Sequence, residues 1–451
     1  MRLVFLIILV VQFYGCMGQD MEGNWRGFLD VQSVKLPVEF RLEKDLNEVW
    51  TASVVGPAEA ASALQFSSVK IKGDSIFLAS SQNMIFFEGT QVSSTKIDGV
   101  FKRGDKSIPL VLHSNVKEVR RRPQTPSAPY PYDTVKVNFY NEFDQVKLAG
   151  TLTLPREQAQ LMPAVVMVTG SGPQDRDETV DGHKPFKVIA DYLTRRGIAV
   201  LCFDDRGVGK SKGDYPNSTI GDFSKDVIGA LDYLREQKNV DPNNIGIIGH
   251  SEGGLIAMLV AGQRSAEVNF IGLLAPPAIA IDSLMVLQAY EVGRSVGLSQ
   301  EELQHARLIN RKNFAIVKSD LSDQDAYLQI MNNVSSVFPN PTQDQKNEFR
   351  MLVTPPYRYF MRIDPVPFIR QINVPVFAAY GTKDVQVPYA VNLESLTKNL
   401  PSGLEPTLKV YEGLNHFFQR AKTGSISEYA QLEETFSDEV MEDLVEWLHS
   451  M

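Results

Sequence analysis

The segment from Asn244 to Gly254 reads N-I-G-I-I-G-H-S-E-G-G, and it delivers Ser251 between small residues after an apolar run. Glycines two positions before and two after it, Gly249 and Gly253, permit the tight strand-to-helix turn that exposes a serine hydroxyl to substrate. The backbone N–H groups that open the next helix lack helical partners and lie at the positive end of its dipole. They are therefore suited to an oxyanion, and the N–H of Glu252 is one of them. The five-residue pattern alone is weak, because glycine and serine are common. Its context is stronger: Ile245 to Ile248 suits a strand buried on both faces, and Leu255 to Ala261 suits a buried helix.

A serine needs a base to take its proton. Of the six histidines, His250 adjoins the serine and reads as a packing residue, while His305 and His449 fall in helical patterns. His416 fits best, because it follows the strand-like Thr407 to Val410 and precedes a C-terminal helix. The acid that orients the base should lie between them in chain order. Val374 to Tyr380 reads as a buried strand and runs into a loop carrying Asp384, the expected acid, with Glu412 in reserve.

With Ser251, Asp384 and His416 in that order, each after a strand-like run, the chain resembles the α/β-hydrolase family from roughly Val135 onward. Two further stretches carry the resemblance. Pro163 to Val168 reads as a strand leading into T-G-S-G-P-Q-D-R-D, where the family places a second oxyanion donor, which implies a main-chain N–H of Ser171 or Gly172 facing that of Glu252. Gly197 to Phe203 leads into D-D-R-G-V-G-K-S from Asp204 to Ser211, which looks like a loop common in the family. Its Gly209-Lys210-Ser211 ending is not a phosphate-binding loop, because Asp204 stands where that loop needs glycine. Arg206 and Asp205 read as an ion pair bracing this loop.

Positioning these residues requires strands alternating with helical stretches at 182–196, 222–237, 253–261 and 428–449, hence a mostly parallel, doubly covered sheet. The expected fold class is α/β, an α/β-hydrolase domain at 134–451 with a helical cap insertion at about 276–370. Ahead of it, residues 19–116 alternate polar and apolar in short runs and predict a separate β-rich domain, similar to small β-barrels that bind apolar ligands, with a structural or docking role equally open. Residues 117–133, basic and then proline-rich, read as a solvated linker.

The chain has 451 residues, 43% of them hydrophobic, and a net charge of −9, so it can bury a large core and offers no electrostatic footprint for nucleic acid. No metal-ligand cluster or cofactor motif is visible. Residues 1–18 read as a signal peptide, Arg2 before an apolar run from Leu3 to Val11 that is too short for a stable membrane span. Export to the periplasm or medium is expected, with cleavage before Gln19 favoured over lipidation of Cys16. The remaining Cys202 reads as a buried hydrophobe. Exported esterases with an N-terminal β domain are the subgroup this arrangement is similar to. The resemblance implies cleavage of small-molecule esters with small to medium acyl groups. A peptidase of short peptides and an inactive binding protein on a hydrolase scaffold are the alternatives.

Overall fold

The computed structural model of the chain describes residues 23–31, 34–44, 49–55, 64–72, 75–80, 85–93, 95–104, 106–114, 122–156, 160–335, 339 and 341–451. The expected signal peptide, with Cys16, lies outside the described residues. The chain divides into two compact units between residues 121 and 122.

The first unit holds nine strands: β1 Gly23–Val31, β2 Val34–Lys44, β3 Trp50–Val55, β4 Leu64–Gln65, β5 Ser68–Lys72, β6 Ser75–Ser80, β7 Ile85–Ser93, β8 Lys96–Arg103 and β9 Lys106–Ser114. They form one antiparallel sheet in the order β4-β3-β2-β1-β9-β8-β7-β6-β5. The period of two puts Trp25, Phe40, Leu42, Leu78, Phe87 and Ile97 in a common core. Phe40 meets Phe66 and Phe87 edge to face at 5.7 and 4.9 Å, so aromatic side chains fill this interior.

The second unit opens with β10 Asp133–Asn141, β11 Val146–Leu154, β12 Met162–Val168, α1 Pro185–Thr194, β13 Ala199–Phe203, α2 Ile220–Arg235, β14 Val240–His250, α3 Glu252–Gln263 and β15 Phe270–Leu274. Six helices follow, α4 Ile281–Ser295, α5 Gln300–Lys318, α6 Asp323–Val334, α7 Gln343–Met351, α8 Pro355–Met361 and α9 Val366–Ile369. The unit closes with β16 Val376–Gly381, α10 Tyr389–Asn399, β17 Thr407–Tyr411 and α11 Asp438–Ser450. The strand order is β10-β11-β13-β12-β14-β15-β16-β17, antiparallel at β10, β11 and β13 and parallel from β13 to β17.

Both faces of this sheet are buried, which is why its strands read as continuous apolar runs. Ile247 packs on one side with α2 and α3, and Ile248 on the other with α1 and α11. The order switches at β12, which lies between β13 and β14. The loops leaving the carboxyl ends of β12 and β14 therefore emerge side by side, where open α/β sheets place their ligands.

Two expectations need correction. The proline-rich segment is not a free linker from residue 122 on. Arg122 donates to the carbonyls of Leu432, Asp181 and Ala430, Gln124 bonds Phe436 O at 2.7 Å, and Tyr132 Oη reaches Asp191 Oδ1 at 2.8 Å. Proline restricts the backbone but does not prevent side chains from supplying donors to a neighbouring loop. The helix expected over 428–449 is also interrupted: a 3-10 turn at Ile426–Gln431 is followed by an irregular stretch before α11. There Phe436 packs against Phe418 at 5.3 Å and Ser437 N bonds Phe418 O at 2.9 Å, contacts that a continuous helix would break.

Candidate active site

Ser251 sits at φ 53° and ψ −119°, a left-handed conformation for a residue that has a Cβ, at the single-residue corner between β14 and α3. Its N–H bonds Leu274 O at 2.8 Å, and its carbonyl accepts from Gly254 N at 2.9 Å, so both sides of the corner are anchored. The two glycines are required by space. A Cβ on Gly249 would lie 2.1 Å from Gly253 O, and one on Gly253 would lie 2.0 Å from Val168 O. Among the described residues the Ser251 hydroxyl makes no hydrogen bond, which leaves it uncommitted.

His416 is buried on the loop after β17, and its Nδ1 bonds Asp384 Oδ2 at 2.7 Å. The other oxygen of Asp384 accepts from the N–H groups of Gln386 and Val387, both at 2.8 Å. The carboxylate is thus fixed at the carboxyl end of β16 before it meets the imidazole. Glu412, the reserve acid, is exposed. The loop around His416 is braced by Asn415, whose Oδ1 accepts from Phe417 N at 3.0 Å and Gln419 N at 2.9 Å.

The expected oxyanion donors come from the loop after β12 and from the start of α3. The Gly170 N–H is taken by Glu178 Oε1 at 2.8 Å, and the Gly172 N–H is directed at the half-buried Tyr215 hydroxyl. The N–H groups of Ser171 and Glu252 have no acceptor among the described residues and are the pair free to bind an anion. The Ser171 hydroxyl donates to Glu252 Oε2 at 2.9 Å and so ties the two loops together. Burial pushes the Glu252 carboxyl up to about 7, with the Ser171 hydroxyl opposing that rise.

The D-D-R-G loop is braced, but not by an Arg206–Asp205 pair. Arg206 bonds Asp226 at 2.6 and 2.7 Å and Asp144 at 3.0 Å, whereas Asp205 accepts from Thr169 Oγ1 at 2.8 Å and Gln174 N at 2.9 Å. Asp204, in turn, is paired with Arg176 at 2.6 Å. Successive residues in a tight turn point in different directions, so adjacent opposite charges find separate partners. The effect is to stitch the loop after β13 to the one that carries Ser171.

The eight-stranded sheet places Ser251 in a tight turn after β14, Asp384 on the loop after β16 and His416 on the loop after β17. A family model described as serine aminopeptidase, S33, matches residues 183–335. The second unit has the α/β-hydrolase fold. The chain is similar to Esterase EstD of Thermotoga maritima, 26% identical over 270 residues, 60% of this chain and 57% of that one. It is also similar to the human mitochondrial palmitoyl-protein thioesterase ABHD10, 22% identical over 222 residues, 49% of this chain and 58% of that one. The chain thus spans less than three fifths of the length of these curated relatives. Among solved structures, an esterase of Pyrococcus furiosus, Pf2001, aligns over 71% of this chain and 91% of its own at 18% identity, with a TM-score of 0.46.

Two further ionisable side chains lie at the candidate site. Glu178, just beyond the quoted loop after β12, and His250, read as packing, form a buried pair at 2.9 Å directly behind Ser251. Their signal was the presence of two ionisable residues in stretches otherwise committed to the elbow and the oxyanion loop.

Proposed function

We propose that the chain cleaves carboxylic esters through an acyl-enzyme formed on Ser251. The observation that carries this reading is the 2.7 Å bond from His416 Nδ1 to the buried Asp384, on the same sheet edge as a serine elbow. A donor bond at Nδ1 leaves Nε2 as the proton acceptor. Ser251 Oγ attacks the carbonyl carbon while its proton passes to His416 Nε2, and the carbonyl oxygen becomes an anion beside the N–H groups of Ser171 and Glu252. The tetrahedral species then expels the alkoxide, which takes the proton from the imidazolium. Water, deprotonated by His416, attacks the acyl carbon, and collapse of the resulting species breaks the bond to Ser251 Oγ, which takes the proton back from the imidazolium as the acid leaves.

Likeness to an esterase and a thioesterase supports an ester substrate. The family model's description, serine aminopeptidase, favours a second reading in which short peptides are cleaved. We place α4 to α9 as a cap that supplies apolar walls for small to medium acyl groups. A fluorophosphonate probe followed by peptide mapping tests the nucleophile, and turnover of p-nitrophenyl esters against aminoacyl amides tests the leaving group. Label on Ser251 with ester preference is the expected outcome; amide preference selects the peptidase, and absence of label selects a binding protein. We further propose export, for which a mature chain starting at Gln19 is expected and a lipid on Cys16 would be the contrary result.

A further inference from the structure

Behind the elbow, one carboxylate oxygen and one imidazole join three loops. Glu178 Oε1 accepts from the Gly170 N–H at 2.8 Å and lies 2.9 Å from His250 Nδ1, and His250 Nε2 lies 2.9 Å from the carbonyl oxygen of His416. Both side chains are buried, His250 at 3% and Glu178 at 2% exposure, so neither is there as a solvated surface group. Glu178 is held at φ 52°, a left-handed conformation that a residue with a Cβ adopts only when its surroundings demand it.

The bonding partners decide where the protons are. A backbone carbonyl can only accept, so His250 Nε2 carries a hydrogen and donates it to the His416 carbonyl, while Nδ1 faces the Glu178 carboxyl. Burial by itself would lower the proton affinity of His250, but the Glu178 charge and the two hydrogen bonds outweigh burial and raise it above the ordinary histidine value.

We propose that His250 and Glu178 are positioning residues that hold the elbow, the loop carrying Ser171 and the loop carrying His416 in one register; this rests on the serine-hydrolase reading. The bond from Asp384 restrains the His416 ring but does not set the position of the backbone that carries it. The bond from His250 to the His416 carbonyl does, and it runs from the residue adjacent to the nucleophile. The same Glu178 oxygen holds Gly170, one residue before Ser171. The His250 and His416 rings lie 4.8 Å apart between centroids, so a shift of one loop is felt at the other. Misplacement of a reacting group by about 1 Å can cost about 100-fold in rate.

Three substitutions separate the two arms. His250→Gln keeps a donor toward the His416 carbonyl, His250→Asn keeps one toward Glu178, and His250→Phe keeps the ring without either. With p-nitrophenyl esters, and kcat taken per folded chain by circular dichroism, His250→Phe is expected to lose about 10- to 100-fold in kcat with little change in KM. His250→Gln should recover much of that loss, and His250→Asn less. Glu178→Gln, which preserves shape, provides a second route to the same loss if the phenylalanine variant does not fold. Variants with parental kcat per folded chain, or losses that only track the folded fraction, overturn the inference while leaving Ser251 as nucleophile. A parental protein that takes no fluorophosphonate on Ser251 fails the serine-hydrolase reading itself, and the positioning role falls with it.

Discussion

Replacing Asp384 by asparagine tests the chemistry of the base most directly, because the structure dictates how the new amide must sit. Asp384 Oδ1 accepts two backbone N–H groups at 2.8 Å, so in D384N the amide oxygen must face them and the NH2 must face His416 Nδ1. Nδ1 then has to accept, the ring proton moves to Nε2, and Nε2 can no longer take the proton of Ser251. Forcing the productive tautomer sets two donors against each other. The loss of a charge-assisted bond costs about 1.5–3 kcal/mol, and the unsatisfied buried donor costs about 1–3 kcal/mol more. Together these predict a fall in kcat of about 100- to 10,000-fold at about 1.4 kcal/mol per factor of ten. Steady-state hydrolysis of a p-nitrophenyl ester, with circular dichroism to confirm an unchanged fold, measures it. Glu412 is exposed, so E412Q serves as the control and should be indistinguishable from the parent. A D384N variant within tenfold of the parent would refute the assigned tautomer and with it the role of Asp384.

Glu252 is held up to about 7 by burial, so it is neutral below that pH and places a negative charge beside the oxyanion loop above it. kcat/KM of the parent should therefore decline as pH rises past about 7, while E252Q stays level; coincident alkaline limbs in a pH–rate profile would count against this. His183 is buried and its pKa is pushed down to about 4, chiefly by burial. Its neutral form is native, so stability is complete above the unfolded value near 6.5 and falls as pH drops from there toward about 4, by about 3 kcal/mol in all. Urea melts across that range should show a smaller acid loss for H183Q. Finally, G253A should destabilise the hydrolase unit by about 2–3 kcal/mol or more, since the new methyl would overlap the Val168 carbonyl; an unchanged melting temperature would refute that packing.

Much of this site was legible because the hydrolase sheet is buried on both faces. Such strands read as unbroken apolar runs, Val165 to Val168 and Ile245 to Ile248 among them, and each ends at the loop that carries the chemistry. The candidate residues Ser251, Asp384 and His416 could be ordered by chain position alone, and Gly249 and Gly253 marked the elbow because no larger residue fits there. The ion pairs were not legible. Arg206 stands next to Asp205 in sequence yet reaches Asp226 on α2, because a tight turn sends neighbours apart. The Arg122 segment failed for a related reason, since composition describes what a backbone prefers and not which carbonyls lack donors nearby.

By itself the sequence named the candidate residues Ser251, Asp384 and His416 and the order in which the strands deliver them, because period, glycine placement and side-chain type are local properties. Only the tertiary structure decided how those residues are held. The His416 ring is oriented by a carboxylate 32 positions earlier, and its carbonyl is bonded by a histidine 166 positions away. Such partners are brought together by the strand order of the sheet, and hydrogen bonds of this kind depend on distance and angle in space, for which separation along the chain carries no signal.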